Sequence, residues 1–136
     1  MKTRVIVSAV IKKGDEYLFG KKKDNTGPYP NTWHLVGGGV NLEEETLEEA
    51  LKREVKEEAD IEITNIKNIS FDEDNEPNKH GELVHYVFLV FGADYKSGNL
   101  KVNDEMRELK WFKEAEIRNL SLPRPSQKLF SQLGII

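Results

Sequence analysis

One helical stripe changes character halfway along its length, and that change limits what this chain can fold into. Between Leu47 and Glu58 the apolar residues Leu47, Ala50, Leu51 and Val55 recur at helical spacing. At about 100° per residue, Glu54 and Glu58 lie close to the line of Leu47, and Glu57 sits beside them. The inward stripe is therefore apolar in its first half and acidic in its second. Inward carboxylates cost roughly several kcal/mol each unless something compensates them. They also repel one another at i, i+3 and i+4, and they lie where the helix dipole is already negative. A hard dication resolves all three problems, because Mg²⁺ takes oxygen ligands and bridges to phosphate oxygens. The competing reading is a solvated, charge-laced helix. Glu48–Lys52 and Glu49–Arg53 are i, i+4 pairs of that kind.

The flanking residues set the expected boundaries. Asn41, with Glu44 three residues on, matches a capping box and places Glu43, Glu44 and Glu45 in the first turn. The helix should stop near Ala59-Asp60. Upstream, Arg4 to Lys12 and Tyr17 to Lys22 read as strands joined at Gly14-Asp15. Asp24 to Asn31 reads as a loop, and Thr32 to Val36 as a short strand entering Gly37-Gly38-Gly39. Downstream, strands are expected around Ile61 to Phe71, Glu82 to Tyr95 and Leu109 to Phe112. Asp72 to Gly81 reads as a polar loop and Ser97-Gly98-Asn99 as a turn. A short helix is expected over Ser126 to Leu133 after Pro125. Strands and helices mix without a regular βαβ repeat, which predicts an α/β (α+β) domain with a mixed sheet and helices packed on it.

Length and charge narrow the function. The 136 residues suit one domain, 1–136. A net charge of −4 offers no broad basic face, so no stable nucleic-acid partner is expected. With no cysteine, a disulfide, a thiolate nucleophile and a Cys-ligated zinc are excluded. His34, His80 and His85 are scattered, without the helical pair of a zinc hydrolase. No apolar run approaches a membrane span, and the apolar N-terminus alternates like a strand, so a cytoplasmic protein is expected.

A longer pattern decides between the two readings of the helix. From Gly39, five residues lead to Glu45; seven more lead to Arg53-Glu54-Val55-Lys56-Glu57-Glu58, followed by Ala59-Asp60-Ile61. This resembles the Nudix box, Gly-x5-Glu-x7-Arg-Glu-U-x-Glu-Glu-x-Gly-U with U apolar, and departs from it at Asp60, where the box has Gly. Asp tolerates the left-handed conformation a helix-ending Gly supplies, at a cost of order 1 kcal/mol. Trp33 to Gly39 resembles the family's strand and loop before the box, with Val36 where Pro is common. Glu105 to Phe112 resembles its acidic loop before a Trp-containing strand.

The resemblance, closest to the small-domain, MutT-like branch, implies an α/β/α sandwich around a central mixed sheet and a pyrophosphohydrolase dependent on Mg²⁺, with Mn²⁺ as a substitute. It implies metal ligands at Glu54, Glu57 and Glu58, a further ligand at the Gly38 carbonyl, and a bracing role for Arg53. Glu45 would support the geometry of helix and loop. Glu105 is the expected outlying carboxylate, as ligand or base, with Glu108 and Asp104 as rivals; the base could equally be Glu54 or Glu57. Lys22, with Lys21 beside it, is the expected phosphate contact, although alternation lets only one face of Lys21-Lys22-Lys23 reach the site. Trp33, Trp111 and Phe112 are expected in the core, and His85-Tyr86 lies on a strand that could line the pocket.

The implied substrate is a small nucleotide, foremost a (deoxy)nucleoside triphosphate cut to monophosphate and pyrophosphate. ADP-ribose or a nucleotide sugar is the alternative, and a non-catalytic nucleotide sensor ranks below both because every box carboxylate is present. The chain is expected to act as a monomer or homodimer.

Overall fold

The computed structural model describes residues 1–23, 29–103 and 105–136. Among these, nine elements follow in the order β1 (Lys2–Lys13), β2 (Glu16–Lys22), β3 (Val36–Gly39), α1 (Leu47–Ala59), β4 (Glu62–Pro77), β5 (Leu83–Ser97), β6 (Met106–Lys113), α2 (Glu114–Ile117) and α3 (Arg124–Gln132). The main sheet runs β4-β5-β1-β2-β6, with β3 paired to β1 off that path. β1 and β5 are parallel and the other pairs antiparallel, so the sheet is mixed as expected.

Alternation along β1 divides the core between the two faces of the sheet. Val7, Ala9 and Ile11 pack with Ala50, Leu51 and Val55 of α1. Val10 belongs to the opposite cluster with Phe19, Phe112, Leu129 and Phe130, beneath α2 and α3. Helices thus cover both faces of the sheet. Phe112 is buried and carries the Trp33 ring edge-on at 4.9 Å. Trp111 is partly buried against Tyr95, so these aromatics serve packing as expected.

Several expectations are corrected. The helix begins five residues later than Asn41 suggests. Its N-cap is Thr46, which accepts from the Glu49 N–H while Glu49 accepts from the Thr46 N–H. Asn41 instead opens a turn, its carbonyl accepting from Glu44 N and Glu45 N. Glu49 is therefore engaged at the cap and does not pair with Arg53. Leu47, now in the first turn, is exposed. The stretch after Phe71 is not a loop: β4 continues to Pro77 and pairs with β5 as far as Leu83. Its acids are held by partners remote in sequence, since Arg124 binds Asp72 at 3.2 Å and Asp74 at 2.9 Å. The third strand is made by the glycines themselves, with His34 only bridging to Gly20. Asp60 closes α1 in the left-handed conformation, φ 58°, as its place in the box requires.

Candidate active site

The tail of α1 brings its acids to the glycine strand in graded depth. Glu58 is 4% exposed and accepts a 2.9 Å hydrogen bond from the Gly37 N–H. Burial pushes its carboxyl up to about 7; Lys22 and the Gly37 N–H act against that rise, while Glu54 and Glu105 add to it. Glu54 lies one turn earlier against Gly38. A Cβ at Gly38 would collide with the Glu54 carboxylate, so only glycine lets the two meet. Burial raises the Glu54 carboxyl as well, against the pull of Arg53. Glu57 stands at the rim with about half its side chain exposed. It is therefore less inward than the helical stripe implies.

At the head of the same helix the chemistry is reversed. Glu45 takes a two-point grip from Arg53, Nε to Oε1 at 2.8 Å and Nη2 to Oε2 at 2.7 Å. Glu45 also accepts from the Asn41 N–H at 3.1 Å. The Arg53 hydrogen bonds hold its carboxyl down to about 2. The rest of the guanidinium serves the tail: Nη1 reaches Glu54 at 2.9 Å and Glu57 at 3.2 Å, and Nη2 reaches the Gly39 carbonyl at 3.0 Å. Arg53 is the brace expected from sequence, and Glu45 is the residue it braces most closely.

The site opens into a cavity of about 640 Å³ on the α3 face of the sheet, a size suited to a small ligand. Arg4, Ile6 and Ser8 of β1 line it beside Tyr86, Phe88 and Val90 of β5. Lys22 and Glu105 also line it; Glu108 does not. Asp104 lies outside the described residues. Lys21 is separated from Lys22 by the strand's alternation: its ammonium sits 4.8 Å from the centre of the Trp33 ring. Lys21 itself does not line the cavity. His34 lines the cavity with its pKa lowered to about 4, first by burial and then by Lys22, so it is neutral at pH 7. Tyr86 faces the cavity, while His85 turns to Glu73 at 2.8 Å and to Thr3 at 3.2 Å.

Among the described residues no three acidic or histidine side chains close into a ready-made metal cage. Arg53 draws Glu54 and Glu57 toward itself, and Gly37 holds Glu58. The donors are nonetheless all oxygen, and two carboxyls are destabilised as anions by burial. That set suits a hard dication held partly by water. A NUDIX domain model matches residues 2–133. The chain is a Nudix hydrolase. Its box therefore carries the acidic tail described above, and the enzyme is a pyrophosphohydrolase. It is similar over its full length, at 30% identity, to a protein of Enterobacter sp. (strain 638) called nucleoside triphosphatase NudI, all of which it covers. It also resembles the crystal structure of a MutT NUDIX hydrolase from Burkholderia pseudomallei, with TM-score 0.76 and 25% identity, covering 97% of this chain and 98% of that one. The NUDIX domain of Shewanella oneidensis NrtR, solved with ADP ribose, shares the fold at TM-score 0.77 and 18% identity, covering 98% of this chain and 87% of that one.

Sequence reasoning missed the far wall of the cavity. Tyr29 lines it and donates to Asp74 at 2.6 Å, and its ring lies 6.3 Å from Phe88. Arg4 was missed too. Its signal was a cation in the same strand phase as Ile6 and Ser8, opposite the phase of Val7, Ala9 and Ile11.

Proposed function

We propose that this Nudix hydrolase cuts a nucleoside triphosphate to a nucleoside monophosphate and pyrophosphate. The reading rests on one observation above all: Glu58, buried and bound to the Gly37 N–H, lines one cavity together with Glu54, Glu57, Glu105 and the cation Lys22. It draws further support from full-length similarity to a nucleoside triphosphatase. Glu54, Glu57 and Glu58, with the Gly38 carbonyl, would hold Mg²⁺, or Mn²⁺ in its place, and Glu105 is kept for the base. When bound, the ion neutralises phosphate charge and lowers the pKa of an attacking water.

The chain's own groups do the rest. Lys22 binds a phosphate as a point charge. Tyr29, Phe88 and Leu35 offer the nucleoside apolar and aromatic surface. Arg53 holds Glu54 and Glu57 in place. Among the three possible bases, Glu105 has no ion pair among the described residues and lines the cavity, so its lone pairs remain open to a proton. Water attacks a phosphorus of the α–β linkage and its proton passes to Glu105. The bond to the bridging oxygen breaks, and pyrophosphate and monophosphate separate. No helix among the described residues is long and apolar enough to cross a membrane, and the absence of cysteine suits the reducing cytoplasm in which we place the enzyme.

A substrate panel with product identification tests this. Pyrophosphate release from one or more nucleoside triphosphates is expected. Turnover confined to ADP-ribose or a nucleotide sugar, with release of a sugar phosphate, would replace the reading.

A further inference from the structure

Of Lys22 and Lys21, the cations the sequence offered for the substrate's phosphates, only Lys22 lines the cavity, yet the cavity holds another cation, Arg4. β3 runs antiparallel to β1, with Ser8 opposite Gly37 and Ile6 opposite Gly39. Arg4 lies one step further on the same face and pairs in register with Tyr86 of β5. Lys22 faces Glu58, which is bound to Gly37. Arg4 thus stands against the Gly39 end of the glycine strand, while Lys22 lines the same cavity from β2, two residues past the Gly20 that bridges to His34 ahead of that strand. A Cβ at Gly39 would strike the Arg4 guanidinium, so Arg4 lies directly on the backbone of the Nudix loop. Alternation puts Glu54, which lies where a Cβ of Gly38 would go, on the other side of that strand.

The other cations near the site are differently engaged. Arg53 is spent on Glu45, Glu54 and Glu57. Lys128, on the cavity wall, pairs with Asp72 at 3.6 Å. Arg4 has no hydrogen bond or ion pair among the described residues, and it is exposed to the cavity. An open guanidinium fork is suited to two phosphate oxygens at once. Lys79, from the turn between β4 and β5, lines the same cavity and adds positive charge to it.

We propose that Arg4 is a specificity-determining residue that grips the departing pyrophosphate of a nucleoside triphosphate. The inference rests on the triphosphate reading given above. Arg4 thereby discriminates substrates by the phosphates beyond the cut, and contributes nothing to the recognition of the nucleoside monophosphate half.

The test compares wild type, Arg4→Gln and Arg4→Lys by steady-state kinetics on the best triphosphate of the panel, with product inhibition by pyrophosphate and by the nucleoside monophosphate. Arg4→Gln is expected to raise KM about tenfold, the loss of one charge-assisted phosphate contact. It should weaken pyrophosphate inhibition by a similar factor and leave monophosphate inhibition unchanged. Arg4→Lys, which keeps the charge and loses the fork, should fall between the two. Equal pyrophosphate inhibition in wild type and Arg4→Gln overturns the proposal. So does an equal loss of both inhibitions, which would make Arg4 a support for the site at large. Thermal melts of both variants separate that case from misfolding. If wild type releases no pyrophosphate from any triphosphate, the functional reading fails before Arg4 is at issue.

Discussion

Two glutamates at opposite ends of α1 meet opposite fates. Glu45, before the helix, is met by a guanidinium fork and a backbone N–H, and its carboxyl is held down to about 2. Glu58, in the last turn, is met by one N–H and a partly opposing Lys22, and burial pushes its carboxyl up to about 7. Both belong to one sequence motif, and motif membership alone does not tell them apart. The fold supplies the counter-charge at the head of the helix. At the tail it gives Glu58 one backbone N–H and no ion pair among the described residues. Arg53 links the two regions, because the side chain that fixes Glu45 also steers Glu54 and Glu57.

The largest expected effect breaks the comparison at the tail. Glu58→Gln should lower kcat by about 10³-fold or more, since on the proposed reading it removes an inward anion that would hold the metal. The substitution should leave the fold intact, because a neutral amide suits that buried position. A near-normal rate would show that the buried acid is merely structural. Glu45→Gln should cost less, roughly 10- to 100-fold in activity, the range for residues that orient a ligand from behind. It should also lower the melting temperature, because Arg53 loses its closest anion. A variant with full activity but reduced stability would confine Glu45 to the fold.

Next comes pH. In the metal-free protein Glu58 is raised from an ordinary 4.5 to about 7. Below pH 4.5 folded and unfolded states both hold the proton, and this contribution is fully present. Between 4.5 and 7 the unfolded chain gives up its proton while the folded one keeps it, so stability falls, by roughly 3 kcal/mol once pH exceeds 7. Glu45 has the opposite sign: its contribution is present above 4.5 and fades as pH falls toward 2. Denaturant melts of chelated protein from pH 4 to 8 should show the Glu58 decline, and Glu58→Gln should flatten it. An unchanged slope in the variant would assign the decline elsewhere.

The smallest effect concerns the helix end itself. Asp60→Gly relieves a left-handed non-glycine residue at φ 58°, and loses an exposed 3.2 Å pair with Lys56. The net gain should be about 0.5 kcal/mol, because the cap relief slightly exceeds a surface ion pair. Turnover should not change.

What could be read from the sequence, and what could not, divides along similar lines. The acidic tail, the glycine loop, the left-handed Asp60 and the Arg53 brace were legible because each depends on residues close in the chain. The helix start was misread because Asn41-x-x-Glu44 and Thr46-x-x-Glu49 carry the same local signature. The second cap prevails while Glu45 is drawn to Arg53 and the Asn41 N–H. The polar extension of β4 was hidden because its stability comes from β5 and from Arg124, 50 residues or more away in sequence. The Tyr29–Asp74 contact, across 45 residues, was hidden for the same reason. Lys21 and Lys22 could be separated in principle by alternation, but only the fold says which of the two faces the cavity.

Calorimetric titration of Mn²⁺ into chelated wild type, Glu45→Gln and Glu58→Gln near pH 6.5, with proton release followed in two buffers, tests the central claim most directly. Wild type should bind the ion and release a proton as Glu58 ionises; Glu45→Gln should bind more weakly with the same release; Glu58→Gln should lose both the binding and the proton. Equal affinity and equal proton release in wild type and Glu58→Gln would contradict the account, because the tail of α1 would then have no cation to await.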